Sequence, residues 1–243
     1  MRTLYYVPII HSRADLGSLG KAVSERGETD LGAATWREHV RVVEGFWNAI
    51  ARYFRAWEIG GNSGRSVDET RDCPRISGTK LYQDGMVAEG EVGAAIVAEG
   101  VKSGSPNYCL LRELMNRGAI LVKTEDFALV KEELDRLLQV TRARTVGEKI
   151  AVFARYRLVR DRLLEKRDRF IAARIAESLG PDETGILFIG AYHDVRAKLP
   201  KDVRCREVKE TMKVREYHNL LRLGDRERAR FEALGRYLAE DLG

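Results

Sequence analysis

The chain has 243 residues, which is enough for one large or two small domains whose core needs no disulfide bonds. Its three cysteines are far apart and form no CxxC pair, which disfavours a disulfide framework and a cysteine-rich zinc site. No run approaches the roughly 20 apolar residues that span a bilayer, and the N-terminus lacks a signal-peptide pattern, so we expect a cytoplasmic protein with no membrane partner.

The net charge of +5 is concentrated in one segment. From Arg142 to Arg174 the chain carries eleven lysines and arginines against four acidic residues, so the rest of the chain is slightly acidic. A basic surface of this kind fits a nucleic acid or another acidic partner, although a charge-rich helix face is more often simply solvated.

Short apolar runs alternate with helical patterns along the chain. The runs that predict strands lie at 4–10, 80–84, 119–122, 185–189 and 203–208. Helix starts are indicated by capping boxes at Thr35 and Thr145, by Thr124, and by Ser105 followed by proline. This alternation predicts a single α/β domain over residues 1–243, with about five largely parallel strands and helices on both faces.

Two segments differ from this pattern. Residues 58–78 form the longest stretch without periodicity, which predicts a flexible loop that is a lid, a binding loop or a disordered segment. Residues 145–179 predict one long basic helix with most of its arginines outside. The apolar positions that predict its buried face are Ile150, Phe153, Tyr156, Val159, Leu163, Phe170 and Ile175.

Ionisable residues follow four of the predicted strands. In chain order they are His11 with Asp15, then Asp84, then Glu125 and Asp126, then His193 with Asp194. Because ligands bind outside the carboxyl ends of parallel strands, we expect these residues to lie at one edge of the sheet. The other two histidines, His39 and His218, lie in helical, charged contexts and are predicted to be ordinary surface or interface residues.

Two imidazoles with carboxylates form a ligand set suited to zinc, manganese or cobalt. Such a site keeps an open position for a water molecule, whose pKa the metal lowers. The alternative is that these polar residues only cap exposed backbone and helix N-termini, as aspartate and serine commonly do.

A family resemblance bears on this choice. The segment GAYH at 190–193 is a GxxH motif after a buried strand, and RDRFIA at 167–172 precedes it on the long helix. This order resembles the C-terminal half of the TraB/Tiki proteins, in the superfamily that includes the erythromycin esterase-like and ChaN-like proteins. The resemblance implies a parallel-sheet α/β fold with two GxxH motifs, an acidic residue between them, an arginine before the second, and metal-dependent peptidase or hydrolase activity.

The resemblance also implies roles for particular residues. His11 and His193 would be the paired histidines, Asp84 the intervening acid and Arg167 the motif arginine. The first motif here, PIIH at 8–11, lacks the glycine, and the acid is an aspartate rather than a glutamate. We therefore predict a divalent metal bound by His11, Asp84 and His193, with Arg167 as an oxyanion or substrate-carboxylate clamp. Asp15 and Asp194 are predicted to fix the imidazole tautomers.

The leading interpretation is a metal-dependent hydrolase acting on a peptide or on another amide or ester. A second is a non-enzymatic protein that uses the basic helix 145–179 and the loop 58–78 to bind nucleic acid or an acidic partner. A third is a metal-free member of the same fold, in which the histidines position a small anion. A homodimer is one option for the assembly.

Overall fold

The computed structural model describes residues 1–15, 20–57, 75–142, 145–221 and 227–242. Within these ranges, five strands form one parallel sheet in the order β3-β2-β4-β1-β5, which confirms the predicted fold class. The strands are β1 (Arg2–Ile9), β2 (Lys80–Gln83), β3 (Ile120–Leu121), β4 (Thr184–Gly190) and β5 (Val203–Glu207).

Eight helices connect and cover the strands within the described ranges. They are α1 (Gly20–Leu31), α2 (Ala33–Arg55), α3 (Gly90–Lys102), α4 (Pro106–Asn116), α5 (Phe127–Arg142), α6 (Val146–Ser178), α7 (Thr211–Leu220) and α8 (Arg228–Ala239). A 3-10 turn at Arg196–Lys198 lies between β4 and β5. None of the described helices is both long enough and apolar enough to cross a membrane.

The two faces of the sheet are covered by different helices, as the alternating pattern predicts. On one face, side chains such as Val7 and Phe188 belong to a core that also contains buried residues of α2, α4, α7 and α8. On the other face, Tyr6 and Leu187 pack with Ile171 and other buried residues of the C-terminal half of α6. Each face of the central strands is therefore buried, which explains their continuous apolar sequence.

Only part of α6 has the buried face that the apolar spacing predicts. Leu163 and Ile175 are buried, but Tyr156 and Val159 are only partly buried, and Leu158 is 83% exposed. The side chains of Ile150 and Phe153 lie outside the described ones. A helix of 33 residues is about 50 Å long, whereas the seven residues of β4 span only about 23 Å. The sheet can therefore cover only one half of α6, and α5 packs alongside it.

The helix starts follow the predictions in two cases and differ in two. Ser105 caps α4 by accepting a hydrogen bond from Tyr108 N, and the capping box of Thr145 opens α6. Helix α2 begins before Thr35, directly after Gly32. The positive φ of Gly32, 80°, is not helical and separates α2 from α1. Thr124 does not cap α5; the carboxylate of Asp126 accepts the hydrogen bonds of its first free N–H groups instead. The predicted loop 58–78 lies outside the described residues except for its last four positions.

The strand order creates a crevice at the carboxyl edge of the sheet. The connection after β2 leads to β3 on one side, whereas the connection after β4 leads to β5 on the other. Since β2 and β4 are neighbours, the chain leaves them in opposite directions, and a topological switch point of this kind is where open α/β sheets bind ligands.

Candidate active site

Three predicted site residues meet at this edge. Asp84 follows β2, His193 follows β4 and His11 follows β1. The Oδ2 atom of Asp84 lies 3.7 Å from Nε2 of His193 and 4.0 Å from Nε2 of His11. The structure therefore brings together, around one carboxylate oxygen, residues that are up to 182 positions apart in the chain.

Gly190 keeps the space between these three side chains open. Its backbone N–H donates a hydrogen bond to Oδ2 of Asp84 at 3.0 Å. A Cβ atom at this position would lie 3.1 Å from the same oxygen, 3.4 Å from the ring of His193 and 3.8 Å from Nε2 of His11. The glycine of the GxxH motif is thus needed because a side chain there would fill the centre of the site.

Asp168 orients His193. Its Oδ1 lies 2.5 Å from Nδ1 of His193, and its Oδ2 accepts a hydrogen bond from the backbone N–H of Asp194 at 2.7 Å. A carboxylate at Nδ1 favours the tautomer with its proton on that atom, so Nε2 is left to face Asp84. The expectation that Asp194 does this is not met, because its own side chain is exposed and only its backbone takes part. Sequence reasoning gave Asp168 no role, although it adjoins the motif arginine.

The charges of Asp84 and His193 stabilise each other. Burial opposes the charged form of both groups. For Asp84, the combined attraction of His193, Arg167 and His11 outweighs burial and holds the pKa of its carboxyl below the usual range. For His193, the effect of burial is outweighed by Asp84 and Asp168, which raise the pKa of the imidazole above its ordinary value of 6.5.

Arg167 is buried among carboxylates rather than free to clamp a substrate. Its guanidinium donates to Asp84 at 2.7 Å and to Oε2 of Glu125 at 2.7 Å, and it also contacts Glu133 on α5. The residue is only 6% exposed. This differs from the predicted role: Arg167 fixes the position of Asp84 and links it to α5 and α6. Glu133 carried no sequence signal, since only the packing of α5 on α6 brings it here.

Glu125 is the most buried carboxylate of this cluster. It is fully inaccessible to solvent, and its Oε1 accepts a hydrogen bond from the backbone N–H of Gly85 at 3.0 Å. Burial, together with the nearby charge of Asp84, raises the pKa of Glu125 above its ordinary value despite the bond to Arg167.

His11 lacks the support that His193 has. Its side chain is 39% exposed, against 6% for His193. Asp15, predicted to orient this imidazole, contacts other groups: its carboxylate accepts hydrogen bonds from Ser12 N at 2.5 Å and from the hydroxyl of Ser105. Asp15 therefore ties the segment after β1 to the start of α4.

Pro8 does not disturb the sheet before His11. The carbonyl of Tyr6 accepts a hydrogen bond from Val208 N on the β5 side, and alternate residues of a strand point to the same side. The nitrogen of Pro8 therefore faces β5 beyond the last paired residue of that strand, so no ladder hydrogen bond is lost. Ile9 lies opposite Gly190 in the register of β1 and β4. His11 therefore follows this paired position by two residues, whereas His193 follows it by three.

His39 is not the surface residue that its sequence context predicts. Its Nδ1 lies 3.1 Å from the hydroxyl of Tyr217, and burial lowers the pKa of its imidazole to about 4. His39 is therefore neutral at physiological pH and serves the packing of α2 on α7. His218 is also partly buried, with its ring near that of Tyr192.

The site as arranged does not fit a bound metal ion. Nowhere in the described part of the chain do three or more His, Cys, Asp or Glu side chains form a group that could hold one. Both oxygens of Asp84 already accept hydrogen bonds, from Arg167 and from Gly190. Its distances of 3.7 and 4.0 Å to the two imidazoles also exceed the ~3.4 Å between ligands bound tetrahedrally at ~2.1 Å. Metal binding at this site stays a prediction, and it would require these side chains to move.

Comparisons of the chain with models of protein families, with curated proteins and with solved structures gave no match. The resemblance to the TraB/Tiki proteins therefore stays a prediction based on short motifs. The geometry around Gly190 carries the functional interpretation instead.

Proposed function

We propose that the protein is a hydrolase that uses acid/base chemistry at the carboxyl edge of its sheet to cleave an amide or ester bond. The observation that carries this proposal is the contact between Asp168 and Nδ1 of His193, which leaves Nε2 facing the space beside Gly190. A buried carboxylate–imidazole pair that points into a crevice is the usual arrangement of a general base.

The proposed reaction places a water molecule beside Gly190, between Asp84 and the two imidazoles. Oδ2 of Asp84 lies 3.7 Å from Nε2 of His193 and 4.0 Å from Nε2 of His11, which is too far for direct hydrogen bonds. The proposal therefore has the water bridge these groups. In the proposed reaction, Nε2 of His193 takes a proton from this water as its oxygen attacks the carbonyl carbon. Asp168 stabilises the imidazolium that forms, and the more exposed His11 protonates the leaving group.

Asp84 and Arg167 support this chemistry in different ways. The carboxylate of Asp84 favours the protonated form of His193 and raises the pKa of this imidazole above its ordinary value. Arg167, itself held by Glu125 and Glu133, keeps Asp84 ionised and in place. It acts as a positioning residue.

The metal-dependent form of this proposal makes a separate prediction. If the side chains rearrange, His11, Asp84 and His193 would hold zinc, manganese or cobalt, which would lower the pKa of a bound water. Metal analysis of protein purified without chelators should then find one equivalent, which His11→Ala and His193→Ala each remove. An unchanged metal content in both variants would contradict the metal-dependent form and leave the acid/base form standing.

The central test is a panel of fluorogenic esters and peptide amides assayed with four proteins: wild type, His11→Gln, His193→Gln and the control His218→Gln, which lies outside the site. Thermal unfolding of each variant separates loss of chemistry from loss of fold. We expect His193→Gln to abolish turnover and His218→Gln to retain it. Turnover that survives in folded His193→Gln would refute the proposal.

The exposed half of α6 supports a second candidate function, the binding of nucleic acid or an acidic protein. Arg155, Arg157 and Arg162 are exposed on the part of α6 that carries few buried residues. Retention on heparin and binding of a fluorescent oligonucleotide should fall steeply with salt and be reduced in the triple arginine-to-glutamine variant. The control Arg204→Gln changes an exposed arginine on β5. No salt-dependent binding by the wild type would exclude this function.

A cytoplasmic location and a homodimer complete the proposal as predictions from the sequence. Cell fractionation tests the first, and light scattering across a range of protein concentrations tests the second.

A further inference from the structure

A large cavity opens beside the proposed site. It has a volume of about 1010 Å³, and its described lining includes His11 and Ser12 after β1, part of α1, residues 36–44 of α2, and Pro106 at the start of α4. This volume lies at the upper end of the range for small-molecule sites. The cavity is therefore large enough for a ligand much longer than the bond that the site would cleave.

Among the described residues that line the cavity, His11 is the one that belongs to the proposed site. Of the two imidazoles, His11 lines the cavity and His193 does not. His193 is 5% exposed and lines a different, smaller pocket together with Tyr6 and Arg215. A ligand in the cavity would therefore contact the proposed site at His11, whose Nε2 lies 4.0 Å from Oδ2 of Asp84.

The walls of the cavity suit an apolar ligand body. Val23 on α1, Val40 and Val43 on α2, and Trp36 all line it. Val23 is 41% exposed and Val40 is 39% exposed. Apolar side chains left open around a concave surface are typical of ligand pockets.

The described lining of the cavity carries a small excess of positive charge. Arg13, Arg37 and Arg41 line it together with two acids, Glu28 and Glu44. Arg37 and Arg41 are four residues apart on α2, so they lie on the same side of the helix, one turn apart. Two arginines placed in this way match the oxygens of one carboxylate or phosphate group.

The distance along α2 sets the length of the ligand. Trp47 marks the position of the site, because its indole N–H donates to the carbonyl of Ile10, next to His11. Arg41 and Arg37 precede Trp47 by six and ten residues, which corresponds to about 9 and 15 Å along the helix axis.

We propose that this cavity binds the substrate, and that the substrate is an elongated amide or ester with an apolar body and an anionic group about 9–15 Å from the reactive bond. The apolar body lies against Val43 and Val40, and the anionic group lies between Arg37 and Arg41. The inference that the ligand is a substrate rests on the proposed function; the inference that such a ligand binds does not.

Binding can be measured without turnover. The probe is a dansyl-labelled undecanoic acid, whose fluorescence rises in an apolar site, compared with its methyl ester, which lacks the charge. We expect the acid to bind roughly tenfold or more tightly than the ester to the wild type, with a preference that weakens as salt is raised. The double variant Arg37→Gln/Arg41→Gln should lose this preference, and the control Arg204→Gln should keep it.

Filling the cavity tests its location. Val40→Trp should weaken the binding of both probes, while thermal unfolding shows that the fold is kept. Equal binding of acid and ester to the wild type, or a double variant that behaves like Arg204→Gln, would overturn the inference.

A separate measurement distinguishes this inference from the proposed function. The variant His193→Gln should bind the acid probe as the wild type does. If no ester or amide is hydrolysed but the probes follow the expected pattern, the proposed function is wrong and the binding inference stands. If hydrolysis occurs but acidic and neutral substrates of equal length are cleaved alike, the proposed function stands and the inference fails.

Discussion

The ends of β4 and β1 each deliver a histidine to the same carboxylate, but the two ends are built differently. After β4, Gly190 opens the space, and His193 is buried and held by Asp168. After β1, Ile9 occupies the position opposite Gly190, and the imidazole of His11 is half-exposed at the rim of the cavity.

This difference separates a fixed histidine from an accessible one. A buried imidazole with a carboxylate at Nδ1 keeps one orientation and one tautomer, as a general base requires. An exposed imidazole can meet ligands and exchange protons with solvent, as a proton donor to a leaving group requires. The comparison therefore assigns the base to β4 and the substrate-facing role to β1.

The largest expected effect comes from removing the support of His193. Asp168→Asn should lower kcat/KM by about a thousandfold or more, since an amide at Nδ1 no longer stabilises the imidazolium and can favour the wrong tautomer. Asp194→Asn, the matched control with an exposed side chain, should stay within about twofold of wild type. Both variants are measured on the best substrate of the panel. If they lose activity to a similar extent, the contact of Asp168 is not what distinguishes His193 from His11.

Arg167→Met should have the largest effect on stability. It leaves Asp84, Glu125 and Glu133 without their shared cation, and breaking a buried ion pair in this way costs about 3–5 kcal/mol. Arg169→Met, which removes only an exposed pair with Glu165, should cost less than about 1 kcal/mol. Urea unfolding at neutral pH measures both, and equal values would show that the buried cluster does not position Asp84.

Gly190→Ala should cost about 1–3 kcal/mol, because the added methyl group lies 3.1 Å from Oδ2 of Asp84 and Asp84 is held by Arg167. The same methyl group enters the space between the imidazoles, so kcat should fall more than stability alone explains. Gly147→Ala in the first turn of α6, where a Cβ would meet nothing within 4 Å, should be neutral or slightly stabilising. A fully active Gly190→Ala enzyme would contradict the proposed water position.

The smallest effects are expected in pH dependence. A general base must be neutral, and the pKa of His193 is raised, so kcat/KM should increase with pH through a value above 6.5. His11→Gln removes the second imidazole near Asp84 and should leave this limb in place, whereas Asp168→Asn should move it to lower pH. If His11→Gln rather than Asp168→Asn moves this limb of the pH profile, the assignment of the base to His193 is wrong.

The same pKa has a consequence for stability. Because the pKa of His193 is higher in the folded than in the unfolded state, its ion pairs stabilise the fold fully below about pH 6.5. That contribution is lost as the pH rises through the folded pKa. The difference in unfolding free energy between wild type and His193→Gln should therefore shrink from weakly acidic to alkaline pH, and a constant difference would contradict the ion pairs.

The local pattern of residues determined the elements of this protein. Apolar runs marked the positions of the five described strands, and the signal is strongest in β1 and β4, whose residues are buried on both faces of the sheet. The edge strand β5 is mostly exposed. The topology rule for strand ends then placed His11, Asp84 and His193 at one edge, since that inference needs only strand direction and not side-chain contacts.

Only the tertiary structure decided which side chains touch. Asp15 and Asp194 were expected to hold the imidazoles because they are close in sequence, but the loops turn their carboxylates elsewhere. Asp168 and Glu133 reach the site from α6 and α5, whose positions depend on how the helices pack over the sheet. Contacts between elements far apart in the chain leave no periodic signal in either one. Sequence reasoning could therefore predict where the site lies, but not which groups orient His193 and hold Arg167.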